Sequence, residues 1–248
     1  MSVPVLNFSH PVFAPYQHAI ATLALGSGLP PLDAFNALAA TRELVNAQGL
    51  PLRFVASEQP LAARDYEQRI LRTGLIPTRT DTWHDVMNAL VWLRFPRFKA
   101  ALNAAHVAAM EDESGSLRGR RRDALTMLDE SGVWVTSEHA SLTDALRNRE
   151  WQSLFWEQRD AVAAQMQFVV VGHALLEKML RPYPRITGKC LILVGKTTDA
   201  AFIEPLASVA VQNLNSPAEL APLPLLGIPG WDPHNAHPAY YANPDVFR

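Results

Sequence analysis

Three stretches of this 248-residue chain set polar, chemically reactive side chains inside apolar patterns that are typical of buried helices. The stretches cover residues 82–96, 121–132 and 172–177. Burying such polar groups costs free energy unless each group is paired or bound to a ligand. The chain therefore has to fold so that these side chains meet partners, and the three stretches indicate where a functional site lies.

The first and third stretches each carry a histidine with a polar residue one helical turn later. His84 precedes Asn88, and His173 precedes Glu177, both at the i, i+4 spacing that places two residues on one helix face. Imidazole nitrogens and carboxylate oxygens are suitable ligands for a divalent zinc, manganese or iron ion. We predict His84, His173 and Glu177 as metal ligands, and Asn88 as a residue that contacts a bound ligand.

The second stretch carries two carboxylates, Asp123 and Glu130, seven residues apart on one helix face. Carboxylates from facing helices are the usual way in which helical bundles build metal sites. A bound metal lowers the pKa of its water and so generates a nucleophile for hydrolysis. The sequence thus predicts a metal-assisted hydrolase in which Asp123 or Glu130 is a further ligand or the general base.

Two other interpretations of these polar residues stay open. The chain has no His-Glu-x-x-His motif and no repeated Glu-x-x-His motif, so the spacing does not specify a known metal centre. The same residues could pair with one another or with arginines inside the core, or they could form an acid–base site without a metal. Asp85 has its own explanation, because with Thr82 it resembles a capping box at a helix start.

One basic run, residues 118–123, precedes the second polar stretch. We expect a helix to start there, and since a helix N-terminus disfavours cations, the run suggests an anionic partner or simply a solvated helix start. An anion-binding module without catalytic activity, holding a phosphate-bearing ligand or nucleic acid, is therefore the alternative function. Its predicted ligand-binding residues are Arg94, Lys99, Arg121 and Arg122, with Arg120 beside them.

Composition narrows the classes of function. The chain has 22 Lys and Arg against 24 Asp and Glu, and this lack of basic excess disfavours dedicated nucleic-acid binding. Cys190 is the single cysteine, which excludes an intramolecular disulfide and a multi-cysteine zinc site, and we expect it as a buried thiol in a strand. No apolar stretch approaches the ~20 residues of a membrane span, and no signal peptide is recognisable, so a cytoplasmic location is expected.

The expected fold is α+β, mostly α-helical, with residues 1–248 as a single domain. Residues 1–31 are rich in loops, and the Pro-rich tail over residues 217–248 should wrap the surface in extended and turn conformations. Strands are predicted over residues 52–55, 133–136 and 189–194, and residues 111–119 as an exposed loop. Helices are predicted over residues 33–46, 65–73, 82–95, 97–110 and 120–129. A capping box at residues 141–144 predicts the start of a further helix, and residues 160–180 are predicted as one long buried helix.

Four strings in the chain resemble a proteobacterial family catalogued only as a domain of unknown function. They lie at residues 83–99, 121–130, 172–177 and 222–231, and the resemblance runs from about Tyr66 to Phe247. It implies a cytoplasmic bacterial protein. It carries no activity, so no catalytic role is transferred from it, and the sequence does not determine the substrate or the oligomeric state.

Overall fold

The protein is described by a computed structural model that covers residue 6 and residues 8–59, 61–111, 116–195 and 200–247, with backbone only at 116–118, 200 and 201. Most of these residues are helical, and the predicted α+β class is confirmed. The α-helices are α1 (Gln17–Thr22), α2 (Leu32–Thr41), α3 (Ala63–Thr73), α4 (Trp83–Arg94), α5 (Pro96–Glu111), α6 (Ser116–Ser131), α7 (Ala140–Arg147), α8 (Arg159–Gln165), α9 (His173–Met179) and α10 (Ala200–Asn213). The strands are β1 (Arg53–Ala56), β2 (Leu75–Thr78), β3 (Gly132–Ser137), β4 (Gln167–Val170), β5 (Thr187–Val194) and β6 (Ala221–Pro224).

The strands form two small sheets. β1 and β2 are a parallel pair, and the larger sheet has the order β4-β3-β5-β6, with β3 parallel to β5 and the other pairs antiparallel. Every residue of β3 is buried, as expected for a central strand with neighbours on both sides. Cys190 lies on β5 with its thiol fully buried, as predicted.

Five helices meet beside the larger sheet. α4 packs on α9, α5 packs on α3, α4 and α6, and α6 packs on α9. α4 and α5 follow each other directly because Pro96 ends the first helix and begins the second, as the sequence predicts. The predicted cap at Thr82 is confirmed, since its hydroxyl accepts a hydrogen bond from the Asp85 backbone N–H.

The prediction of one long helix over residues 160–180 is wrong. The segment instead forms α8, then strand β4, then α9. Phe168, Val169 and Val170 pair antiparallel with β3, where their aromatic and β-branched side chains pack well. Helix-forming residues on both sides of this strand favour a helix in the local sequence pattern. The strand forms because it pairs with β3, more than 30 residues away along the chain.

Gly172, expected inside that helix, lies just before α9 and decides how the helix meets α6. A Cβ atom on Gly172 would lie 2.4 Å from the Gly132 nitrogen and 2.6 Å from the Glu130 carbonyl oxygen, which no real Cβ tolerates. The Gly172 N–H donates to the Gly132 carbonyl at 2.9 Å. Only glycine permits this backbone approach, and the approach brings His173 beside the end of α6.

Three predicted element boundaries are also wrong. The helix predicted over residues 33–46 is α2, which begins one residue earlier, after Pro31, and ends at Thr41, because Glu43 adopts a left-handed φ of 49°. The capping box expected at residues 141–144 is not formed, since α7 begins at Ala140 after His139, which makes no side-chain cap. α6 is already helical at residue 116, so the predicted 111–119 loop is shorter, and residues 112–115 lie outside the described ranges.

The Pro-rich tail has the predicted extended and turn conformations, in the form of β6 and several short 3-10 turns. β6 is an edge strand, which is where prolines can enter a sheet without removing a ladder hydrogen bond. The tail is also anchored in the core, since Asn235 is fully buried and donates to the Leu226 and Ile228 carbonyls. Among the described helices, none is both long enough and apolar enough to span a bilayer.

The close approach at Gly172 predicts that Gly172→Ala lowers the free energy of unfolding by roughly 1–3 kcal/mol, the usual range for overpacking. For a chain of this size the melting temperature should fall by roughly 3–10 °C in a calorimetric scan. Gly119→Ala is the matched control, because nothing lies within 4 Å of its Cβ position in α6 and alanine favours a helix. Equal melting temperatures for the two variants would contradict the packing described here.

Candidate metal centre

An open cleft of about 550 Å³ lies where the five helices meet. Its volume is in the range of sites for small molecules. Residues from α3, α4, α5, α6 and α9 line it, together with the segment around β2. The polar side chains that line it include Arg64, Tyr66, Glu67, Arg79, His84, Asp85, Asn88, His106, Arg122, Asp129, Glu130 and His173.

Two imidazole rings face each other in the wall of this cleft. His84, near the start of α4, and His173, the first residue of α9, have their Nε2 atoms 3.0 Å apart. The rings are nearly perpendicular, with centroids separated by 4.6 Å. His173 is buried and His84 is half-buried, so neither ring nitrogen is freely solvated at the contact.

The hydrogen bond on the far side of His84 determines its tautomer. His84 Nδ1 lies 3.0 Å from a Glu177 carboxylate oxygen, and a carboxylate can only accept there, so Nδ1 carries the proton. The lone pair of His84 is therefore on Nε2, directed at His173. A carboxylate behind an imidazole in this way is the usual support for a histidine that binds a metal.

His173 faces a carboxylate on its far side as well. Its Nδ1 lies 3.8 Å from Asp129 Oδ1, which is longer than a hydrogen bond. Within the described part of the chain, this buried Nδ1 atom has no hydrogen-bond partner. If His173 uses its one proton to donate to His84, its Nδ1 lone pair points towards the Asp129 carboxylate, which is unfavourable.

A cation bound by both Nε2 atoms would remove this conflict. Both lone pairs would then face the ion, and both Nδ1 protons would face carboxylates. At the tetrahedral angle, two imidazole nitrogens about 2.0–2.1 Å from one zinc ion lie roughly 3.3–3.4 Å apart, about 0.3–0.4 Å more than the two Nε2 atoms in the structure. A carboxylate oxygen of Glu130 lies within 4.8 Å of a nitrogen of each ring, so Glu130 could hold the same ion as a third ligand.

A second polar group lies deeper in the same cleft, around Asp129. The ammonium group of Lys99 binds Asp129 directly and also lies 5.4 Å from the centre of the Trp92 ring. Burial alone would raise the pKa of Asp129, but the positive charge of Lys99 and the imidazole of His173 outweigh burial and hold that pKa well below its usual range. Asp129 is therefore a permanent negative charge between the two groups.

Glu67 and His106 complete this second group. Burial, together with the negative charge of Asp129, raises the pKa of Glu67 to about 7, although hydrogen bonding to Asn103 opposes the shift. The Asn103 amide donates to a Glu67 carboxylate oxygen at 2.6 Å. Burial lowers the pKa of His106, so its ring is neutral around pH 7.

Tyr66 presents a hydroxyl group to the cleft from α3. Its oxygen accepts a hydrogen bond of 2.8 Å from the Asn88 amide, so the tyrosine keeps its own proton for another partner. Burial raises the pKa of Tyr66 well above its ordinary value, and the proton is retained at neutral pH. Near the mouth of the cleft, Arg79 forms a two-pronged ion pair with Asp85.

The structure brings some of the predicted site residues together and places others elsewhere. His84, Asn88, Glu130 and His173 line one cleft, and Arg122 lies at its edge. Glu177 contacts His84 rather than facing the cleft, so it supports a candidate ligand instead of acting as one. Asp123 is exposed and does not line the cleft, because seven residues of helix separate it from Glu130 by about 10.5 Å.

The other predicted cations have internal partners. The Arg94 guanidinium donates to the Pro15 carbonyl at 2.9 Å, and Arg121 donates to the Gln212 carbonyl at 3.1 Å. Lys99 is buried against Asp129. These three residues stabilise the fold around the site and are not among the residues that line the cleft.

Sequence reasoning missed Tyr66, Glu67, His106 and Asp129 as site residues. Tyr66 and Glu67 are part of a charge-rich helix that resembles a solvated surface element. Asp129 is adjacent to the predicted Glu130, and His106 follows Lys99 by seven residues on α5. That i, i+7 pair of polar residues on one buried helix face is the signal that could have revealed the second group.

The sequence model of a family described as a protein of unknown function, DUF3025, matches residues 52–248. The chain belongs to this family, and the match includes every residue of the cleft described above. Neither a curated protein nor a solved structure matches the chain.

The raised pKa of Glu67 can be tested in protein from which EDTA has removed any metal. Since its folded-state pKa of about 7 exceeds the ordinary value of 4.5, wild-type stability should decline as pH rises from 4.5 through 7. Glu67→Gln removes this penalty and keeps an oxygen that accepts from Asn103. We expect the variant to melt roughly 2–5 °C above wild type at pH 8 and much closer to it at pH 5. The same difference at both pH values would contradict the assignment.

Proposed function

We propose that this member of the DUF3025 family is a metal-dependent hydrolase whose ion is held by His84, His173 and Glu130. The observation that carries the proposal is the 3.0 Å approach of two imidazole Nε2 atoms whose opposite nitrogens both face carboxylates. Two histidines and one carboxylate leave coordination positions open for water and substrate, as in catalytic rather than structural metal sites.

Each surrounding side chain has a role in this proposal. Glu177 fixes the tautomer and orientation of His84, and Asp129 does the same for His173 once Nδ1 carries the proton. A metal bound by these residues would supply a water of lowered pKa as the nucleophile. Tyr66, held by Asn88, can donate its proton to an oxygen on which negative charge develops during attack.

The charges at the mouth of the cleft support a small anionic substrate. Arg64, Arg79 and Arg122 line it, and Arg64 and Arg122 are exposed. Arg79 is already paired with Asp85, whereas Arg64 and Arg122 form no ion pair with any described residue, so their guanidinium groups can attract a carboxylate or phosphate group. The hydrolysed bond would then lie deeper in the cleft, beside the two histidines.

The same arginines favour one alternative, an anion-binding module without catalytic activity. In that case the two imidazoles would share an additional proton, which also lets both rings donate towards carboxylates. Such a protein would be stabilised in a thermal-shift assay by inorganic phosphate in the presence of EDTA, and no metal would be needed. The hydrolase proposal instead requires the metal for stabilisation and for activity.

Metal content separates the two functions. Protein purified without chelator should contain a bound divalent ion by inductively coupled plasma mass spectrometry, and His84→Ala and His173→Ala should each lose the ion at this centre. His18→Ala is the matched control, because His18 is an exposed histidine on α1, outside the cleft. Metal content that is unaffected by either cleft substitution would contradict the hydrolase proposal.

Glu177→Ala tests the support behind His84. Loss of such a carboxylate partner typically weakens metal affinity about 10–100-fold. Because the Glu177 side chain is 40% exposed, its truncation should leave the melting temperature of the metal-free protein within about 1 °C of wild type. The measurement is a competition titration of zinc against a chromogenic chelator, and unchanged affinity would show that Glu177 does not orient a ligand.

A further inference from the structure

We propose that Glu67, His106 and Asp129 form a second divalent-cation site on the inner wall of the same cleft. One ligand atom from each of the three residues lies within 4.8 Å of the other two. The residues come from three different helices, α3, α5 and α6, and all three line the cleft. None of them is a ligand in the proposed hydrolase centre, although Asp129 also faces His173 of that centre.

An unsatisfied buried imidazole points to a ligand at this position. His106 is only 4% exposed, and its Nδ1 atom has no hydrogen-bond partner among the described residues. Buried polar atoms in folded proteins are nearly always paired, so an orphaned one signals an ion, a water or a ligand. The neighbouring carboxylate oxygens of Glu67 and Asp129 make a cation the suitable occupant.

Asn103 adds a second unsatisfied atom beside the same group. Its amide nitrogen donates to Glu67, at 2.9 Å to the carbonyl oxygen and 2.6 Å to the carboxylate. Its Oδ1 atom is buried and, in the part of the chain that the structure describes, has no partner. Asn103 is not among the residues that line the cleft, so its oxygen marks an unsatisfied polar atom near Glu67 and is not counted as a ligand of the proposed site.

The charges in this part of the cleft also leave room for a cation. Among the described residues, the ammonium group of Lys99 binds Asp129 through Oδ1, and no cation forms an ion pair with Glu67. His173 approaches the same Oδ1, so the described contacts of Asp129 leave its Oδ2 available for an ion. A buried carboxylate without a counter-charge is costly, and a divalent ion between Glu67 and Asp129 supplies it.

The ligand types distinguish the two sites. The first centre has two nitrogens and one oxygen, whereas the second has one nitrogen and two oxygens. Oxygen-rich sets suit harder ions such as Mn²⁺, while imidazole suits zinc, so the second site should bind Mn²⁺ and release zinc more readily than the first. Asp129 also faces His173 Nδ1 at 3.8 Å, which links the occupancy of the two sites.

The test counts Mn²⁺ ions bound to metal-stripped full-length protein, by the loss of the free Mn²⁺ signal in electron paramagnetic resonance. Wild type and the control His18→Ala should bind two ions per chain. His106→Ala and Glu67→Gln should each bind one, and so should His84→Ala, which loses the other ion. The double variant of His84 and His106 should bind none. Glu67→Gln preserves size and the hydrogen bond from Asn103, so it reports on binding even if His106→Ala fails to fold.

The outcomes separate this site from the proposed hydrolase centre. One ion in wild type that is lost in His84→Ala but retained in Glu67→Gln would overturn the second site and leave the hydrolase centre in place. One ion lost in Glu67→Gln but retained in His84→Ala would support the second site and show that the hydrolase centre does not bind Mn²⁺, leaving its zinc content as the separate test. No bound Mn²⁺ in wild type would overturn the second site.

Discussion

The contact between His84 and His173 is the interaction on which the arrangement of the cleft depends. It joins α4 to α9, and α9 follows strand β4 and precedes strand β5 along the chain. A pair of imidazole Nε2 atoms 3.0 Å apart needs a proton or, as we propose, a metal ion between them, and the carboxylates behind both rings are compatible with either. His84 and His173, which interrupt the apolar pattern of their helices, are thereby paired with each other and positioned to bind a metal ion.

Asp129 connects this contact to the rest of the cleft. It binds the buried Lys99, faces the far nitrogen of His173 and raises the pKa of Glu67. One carboxylate thus has a stabilising role for the fold and an orienting role for a candidate ligand. The structure that holds it in position is the junction of α6 and β3, where Gly172 allows α9 to approach the backbone closely.

The helices that carry the site could largely be predicted from sequence, because their periodicity and punctuation are local. Thr82 caps α4, Pro96 divides α4 from α5, and Gly74 ends α3 in the left-handed conformation. The segment before Gly172 could not be predicted correctly from sequence, because the strand β4 forms by pairing with β3, which is distant along the chain. Local pattern alone could not distinguish that strand from a buried helix.

The same division applies to the site. His84 and His173 were identifiable as polar residues within apolar helical patterns, and the structure brings them together. The i, i+4 spacing connects Glu177 with His173, yet its partner is His84 on another helix. Asp123 and Glu130 share a helix face, but only one of them reaches the cleft. Which member of such a pair is buried is decided by tertiary packing, which the spacing does not contain.

Anomalous diffraction at the zinc edge from crystals of the zinc-loaded protein tests most directly whether His84 and His173 bind a metal ion. We expect a peak between the two residues, about 2.1 Å from each Nε2 atom, with a Glu130 oxygen as a third ligand and the Nδ1 atom of His84 still bonded to Glu177. A fully loaded protein whose zinc lies elsewhere, with the two imidazoles still 3.0 Å apart and no anomalous peak between them, would contradict this expectation.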